Sequence, residues 1–272
     1  MSTFISAKKI VKYYENIFPS GYCRDVKTLR INETLLTLTN VKQKVICDVG
    51  CGHGYLTRRS VNYGSQRVIG IDISSSLIKI SQKIKKARVM RQLSYIIASG
   101  EYLPLKNDVF DILFCSETIE HIPNIYKTVH EFYRVLVISG SLLISFPNYF
   151  NIYGLQIKLL DKINKMPKQI IEHRITYFFM RKQFEDAKFT EIKVQSSHMF
   201  DAIGLNPFFW YGIISQLLPK DFNTKIKKIG LNFFGGIVNV DVEKIYKSTP
   251  IKTYKLFPFN LIGKHIYLKA KK

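Results

Sequence analysis

Three glycines at two-residue intervals, Gly50, Gly52 and Gly54, follow directly on the apolar run Val45–Val49. Glycine reaches backbone conformations closed to other residues, so such a turn lets main-chain N–H groups come close to a ligand. Asp72 ends the next apolar run, 22 residues after Gly50. A carboxylate at that spacing, at the end of a second strand, can take the hydroxyls of a ribose. The pattern points to a nucleotide-like ligand. The dinucleotide fingerprint requires Gly-x-Gly-x-x-Gly. Here Tyr55 stands where its third glycine belongs, which speaks against a pyrophosphate.

The elements that must position these residues alternate in type. Short apolar runs at 45–49, 67–71, 94–98, 110–115 and 141–146 read as strands. Between them, residues 56–62, 77–90 and 121–136 carry apolar positions at helical spacing, with Ser74–Ser76 offering caps to the second. Such alternation predicts an α/β fold: a doubly wound, mostly parallel, seven-stranded Rossmann-like sheet with helices on both faces. A short helix at 181–187, a strand at 191–196 and an alternating, antiparallel last strand at 263–272 complete it. The expected organisation is one domain, with an N-terminal helical cap (1–40), a cofactor-binding core (41–198), an aromatic and basic lid insertion (199–262) and the final strand (263–272).

Composition narrows the classes. The 272 residues carry 41 Lys and Arg against 20 Asp and Glu, a formal net charge of +21. That balance suits an acidic partner such as nucleic acid or an anionic membrane surface. The four cysteines, Cys23, Cys47, Cys51 and Cys115, form no CxxC pair and no zinc spacing, so no metal site is expected. Few cysteines and no signal-like N-terminus lead to the expectation of a reducing, cytoplasmic setting. The longest apolar stretch, around 207–219, is shorter than the roughly 20 residues that span a bilayer.

At this point the motifs resemble a known family. "VICDVGCGHG" followed by "VIGIDIS" is similar to the first two motifs of the class I S-adenosylmethionine-dependent methyltransferases. "SGEYLPLKNDVFDILFCSETIEHIP", "EFYRVLVISGSLLISFPN" and "EHRITYFFMRKQFEDAKF" resemble, in order, later segments of its small-molecule branch, which includes quinone-biosynthesis methyltransferases. The resemblance covers roughly residues 40–198 and the last strand. It implies S-adenosyl-L-methionine as cofactor. Gly50, Gly52 and Gly54, with Cys51, would line its methionine part, and Asp48 would hold the loop and the amino group. Asp72 would take the ribose hydroxyls and Ile73 would pack on the adenine. Ser99, Gly100, Glu101 and Ser116 complete the implied site. The family usually has an acidic residue at the place of Ser99, so adenine recognition here would rest on the Ser99 hydroxyl or on main chain.

Methyl transfer from a sulfonium is an in-line displacement in which the protein mainly aligns and dehydrates the reactants. A general base is needed only where the nucleophile must lose a proton. His121 and His173 are the candidates, since histidine titrates near neutrality. The expected acceptor is a small or lipid-like molecule, isoprenoid or quinone-type, methylated on O or C. Base N-methylation is disfavoured, because "CSETIEH" stands where an Asn/Asp-Pro-Pro-aromatic motif would be. Cytosine C5 chemistry is disfavoured because Phe114, not proline, precedes Cys115. An RNA methyltransferase exploiting the basic surface and a non-catalytic cofactor-binding protein are the alternatives. In the tail, Phe208, Phe209 and Trp210 with Lys220, Lys225, Lys227 and Lys228 read either as a lid or as a patch for an anionic membrane. The second reading places the protein at the membrane periphery.

Overall fold

Alternation along the strands decides the two faces of the sheet. On β1 (Val45–Val49), successive side chains point to opposite sides. Ile46 joins one buried cluster, while Cys47 and Val49 join the other. The computed structural model describes residues 26–151, 154–155, 173–197, 253–255 and 265–272. Helix α1 (Val26–Thr37) precedes β1, and α2 (Tyr55–Asn62) follows it. Then come β2 (Arg67–Asp72), α3 (Ser75–Ala87), β3 (Leu93–Ile97), β4 (Phe110–Ser116), α4 (Ile125–Val135) and β5 (Leu136–Pro147). The chain continues with α5 (Tyr177–Asp186), β6 (Thr190–Ser197), β7 (Thr253–Tyr254) and β8 (His265–Lys271).

The strands form one sheet in the order β3-β2-β1-β4-β5-β8-β6-β7. Strands β1 to β5 pair in parallel. Strand β8 inserts antiparallel between β5 and β6. The seven expected strands are present. The eighth, β7, is a two-residue pairing on the outer edge of β6. The connection order reverses beside β1, where β2 and β4 flank it. Open α/β sheets bind ligands at such a switch point, beyond the carboxyl ends of the strands.

Each face is covered as its apolar residues require. Ile31 and Leu35 of α1 and Leu56 of α2 pack on Ile46, Val68, Phe114, Leu143 and Tyr267. On the other face, Val129 and Phe132 of α4 and Met180 and Phe184 of α5 pack on Cys47, Leu113, Cys115, Ile144 and Leu268. Local chemistry sets the helix ends. Helix α4 begins at Ile125, not at His121 as the apolar spacing suggests. Residues Ile119–His121 form a 3-10 turn, Pro123 follows, and the Asn124 side chain accepts from Lys127 N at 2.9 Å as the cap. Helix α5 starts at Tyr177, earlier than expected, because the Thr176 side chain caps it. Among the described residues no helix is long and apolar enough to cross a membrane. The expected N-terminal cap before residue 26, Cys23, and nearly all of the 199–262 insertion, Trp210 included, lie outside the described residues.

One arginine holds the connection from β3 to β4. Arg134 on α4 donates to the carbonyls of Leu103 (3.0 Å) and Leu105 (2.8 Å) and to Asn107 Oδ1 (2.7 Å). It is oriented by two bonds to the Glu131 carboxylate, at 2.7 and 2.8 Å. Five donors on a flat fork can serve all these acceptors, whereas one ammonium cannot. Arg134→Lys is therefore expected to cost about 2 kcal/mol, nearly as much as Arg134→Ala. Urea midpoints of the two variants check this.

Candidate functional site

A cavity of about 290 Å³ opens at the carboxyl ends of β1, β2, β3 and β4. Its floor is the turn from Gly50 to His53. The N–H groups of Gly50 and Cys51 both donate to the Ile71 carbonyl, at 2.8 and 3.0 Å, which ties the turn to the end of β2. Gly50 (φ 74°), Gly52 (φ 55°) and Gly54 (φ 77°) all adopt left-handed backbone, which costs an L-residue roughly 1–2 kcal/mol. A Cβ on Gly50 would collide with the Thr118 side chain, and one on Gly54 with the Tyr95 ring. Above Gly52 there is open space. Gly50 and Gly54 thus carry close packing, while Gly52 presents bare main chain to the cavity.

Asp72 closes one side. Its Oδ2 accepts from Gly52 N at 2.8 Å and its Oδ1 from Ser74 N at 2.9 Å. Burial raises its pKa, and the surrounding N–H groups oppose that rise. Asp48 lies deeper, 2% exposed. Burial first, and the nearby Asp72 charge second, push its pKa up to about 8, against the Thr57 N–H. Its Oδ2 is buried without a hydrogen-bond partner. A buried carboxylate oxygen in this state calls for a donor, and a cationic one above all.

Every residue singled out for the cofactor lies in the cavity wall except Gly54. Asp48, Gly50, Cys51, Gly52, Asp72 and Ile73 come from β1, β2 and the turns that follow them. Ser99, Gly100 and Glu101 follow β3, and Ser116 ends β4. Gly54 sits behind the wall at the start of α2. Ser99 Oγ is engaged with its neighbour, 3.2 Å from Glu101 Oε2, while Glu101 Oε1 accepts from Asn124 N at 3.2 Å. His121 is in the wall, its Nε2 3.9 Å from Glu120 Oε1. His173 is not, and its Nε2 lies 3.1 Å from the Pro123 carbonyl. The two histidines are not brought together as a pair of wall residues. Among the described residues no group of three or more His, Cys, Asp or Glu is arranged to hold a metal. The Cys47, Cys51 and Cys115 thiols are buried, and burial raises their pKa values well above the ordinary thiol range.

Sequence reasoning missed several wall residues. His53, between two of the glycines, lines the cavity, and burial followed by the Arg58 charge lowers its pKa. Glu117 also lines it, at a positive φ of 46°, with its N–H donated to Ser145 O at 3.0 Å. Its Oε2 is 3.0 Å from His265 Nδ1 at the start of β8. No local pattern announces that pair, because 148 residues separate its members. Thr28, Leu29 and Asn32 of α1 complete the wall. Among the described residues, the wall carries four carboxylates, Asp48, Asp72, Glu101 and Glu117, and no Lys or Arg, although the chain as a whole carries +21.

Comparison with known proteins agrees with this geometry. Residues 47–144 match the family model described as "Methyltransferase domain". The chain is 31% identical over 109 residues to the ubiquinone/menaquinone biosynthesis C-methyltransferase UbiE of Wigglesworthia glossinidia brevipalpis, covering 39% of this chain and 43% of that one. It is 28% identical to a ubiquinone biosynthesis O-methyltransferase of Alkalilimnicola ehrlichii, over 47% of this chain and 52% of that one. The chain thus spans about half the length of these curated relatives. A solved S-adenosylmethionine-dependent methyltransferase of Thermotoga maritima, titled a possible histamine N-methyltransferase, superposes with a TM-score of 0.60 at 15% identity, over 97% of this chain and 98% of that one. The sheet order, the glycine turn at its switch point and the family match converge: residues 47–144 match a methyltransferase domain, set in a fold shared with a solved S-adenosylmethionine-dependent methyltransferase.

Proposed function

We propose that this protein is an S-adenosylmethionine-dependent methyltransferase acting on O or C of a small or lipid-like acceptor that is uncharged where it reacts. The observation that carries this reading is the unpartnered, buried Asp48 oxygen in a cavity floored by bare glycine main chain. S-adenosylmethionine would supply a methyl group activated by its sulfonium charge. Asp48 would accept from the ammonium of its amino-acid end, and the open space above Gly52 would receive that end of the molecule. Asp72 would hold the ribose, and Ile73 with Ser99 would border the adenine. The acidic wall favours a cationic cofactor and disfavours phosphate or carboxylate beside the reacting atoms. Similarity to quinone-biosynthesis methyltransferases supports an apolar acceptor.

The excess of 21 positive charges favours a second reading, in which RNA is the acceptor and its phosphates are gripped outside the cavity. One experiment separates the two. Cell extract is incubated with the protein and methyl-labelled S-adenosylmethionine, with and without nuclease, and the label is followed into lipid, aqueous and RNA fractions. Label in the lipid or small-molecule fraction, insensitive to nuclease, is the expected result. Label in RNA would replace the first reading by the second. Label nowhere, with S-adenosylhomocysteine still bound, would leave a binding protein without transfer activity.

A further inference from the structure

Helix α1 lies outside the residues that the family model matches, 26–37 against 47–144. Yet it supplies a polar wall residue. Asn32 is 7% exposed and its Oδ1 is buried without a hydrogen-bond partner. An asparagine inside a helix is a mediocre helix former. A buried amide oxygen left unpaired costs roughly 1–3 kcal/mol. A ligand that brings a donor would remove that cost.

The placement is firm. Beside Asn32, Ile31 and Leu35 are fully buried against Ile46 and Phe114. The next residue, Glu33, clamps α1 to α2: Arg59 Nε donates to it at 2.6 Å and Tyr55 Oη at 2.8 Å. The Asp48 side chain shares the sheet face of Ile46, two residues earlier on β1, which is the face that α1 and α2 cover. Two residues that each hold a buried oxygen without a partner, one on α1 and one on β1, therefore line the same cavity on the same side of the sheet.

We propose that Asn32 and Asp48 together hold the amino-acid end of the cofactor, so that α1 completes the binding site. The inference rests on the cofactor reading above. An ammonium carries several N–H donors and can serve both oxygens.

The test compares two ligands that share adenosine and a thioether but differ in the amino-acid end: S-adenosylhomocysteine and methylthioadenosine. Their dissociation constants are measured by titration calorimetry on the wild type and on Asn32→Ala. The expected result is about tenfold weaker binding of S-adenosylhomocysteine with methylthioadenosine unchanged within about twofold, a loss typical of one hydrogen bond to a charged group. Equal effects on both ligands, or none, would overturn the proposal. A measurement on the wild type covers the case in which the variant does not fold. The Asn32 side-chain amide resonances should move with S-adenosylhomocysteine and stay with methylthioadenosine, and the proposal falls if they ignore the first. A wild type that binds neither ligand would overturn the cofactor reading itself.

Discussion

Asp48→Asn is expected to lower the affinity for S-adenosylhomocysteine by about 100-fold while making the ligand-free protein more stable at alkaline pH. The two effects have one cause. Burial raises the folded-state pKa of Asp48 from its ordinary value of 3.8 to about 8. The folded protein therefore holds a proton here that the unfolded chain has released. Stability from this group is fully present below the ordinary carboxylate range and is lost as pH rises towards about 8. Asparagine does not titrate and escapes that loss. The melting temperature of the variant should thus gain on the wild type between about pH 6 and about pH 8.5. Binding has the opposite sign. A ligand ammonium favours the ionised carboxylate, so wild-type affinity should climb from about pH 6 to about pH 7.5, by up to about tenfold per unit. The asparagine variant should show a flat profile. Losing the charge-assisted hydrogen bond costs about 3 kcal/mol, which is the 100-fold. A variant that binds as tightly as the wild type, or a wild-type affinity indifferent to pH over that range, would show that Asp48 does not meet the ligand.

Much of this site could be read from the sequence because its signals are local. The apolar runs of β1 to β5, the glycine turn and Asp72 each declare themselves within a few residues. The parallel order follows from the helices between the strands. What was not legible depends on long-range placement. Glu117 meets His265 only because β8 enters the sheet antiparallel beside β5, which sets His265 opposite Pro147. Asn32 reaches the cavity only because Glu33 pins α1 to Arg59 and Tyr55 of α2. Apolar spacing alone puts the start of α4 too early, because Ile119 and Ile122 continue it, although Pro123 and Asn124 end one element and cap another. His173 is an acid–base candidate by residue type, and the structure places its ring nitrogen 3.1 Å from the Pro123 carbonyl. Residue type suggests a chemistry; the neighbours that decide it arrive from other strands.

Gly50→Ala and Gly52→Ala should fail in different ways, although both glycines have positive φ in the same turn. At Gly52 an added methyl meets only open space, and the cost is left-handed strain of about 1–2 kcal/mol. The variant should fold, melt a few degrees lower, and bind S-adenosylhomocysteine poorly, because the methyl takes up space in the cavity. At Gly50 the same strain is joined by collision. The new Cβ would overlap Thr118 Cγ2 and Oγ1 and stand 2.6 Å from its Cβ. Thr118 cannot swing clear, since its Oγ1 donates to Ser116 O at 2.8 Å and its carbonyl accepts from His121 N at 2.9 Å. Moving it drags the end of β4 and the 3-10 turn that carries His121. Overpacking of about 1–3 kcal/mol added to the strain removes about 2–5 kcal/mol, a large share of a typical domain's 5–15 kcal/mol. Gly50→Ala should therefore express poorly or melt far below the wild type. Removing the obstacle separates the two costs. In the double variant Gly50→Ala/Thr118→Gly the collision is gone and the strain stays, so the pair should be less destabilised than the sum of its single variants by at least about 1 kcal/mol. Strict additivity in denaturant melts would mean that Gly50 is required for its backbone conformation alone, and that the turn and the end of β4 do not constrain one another.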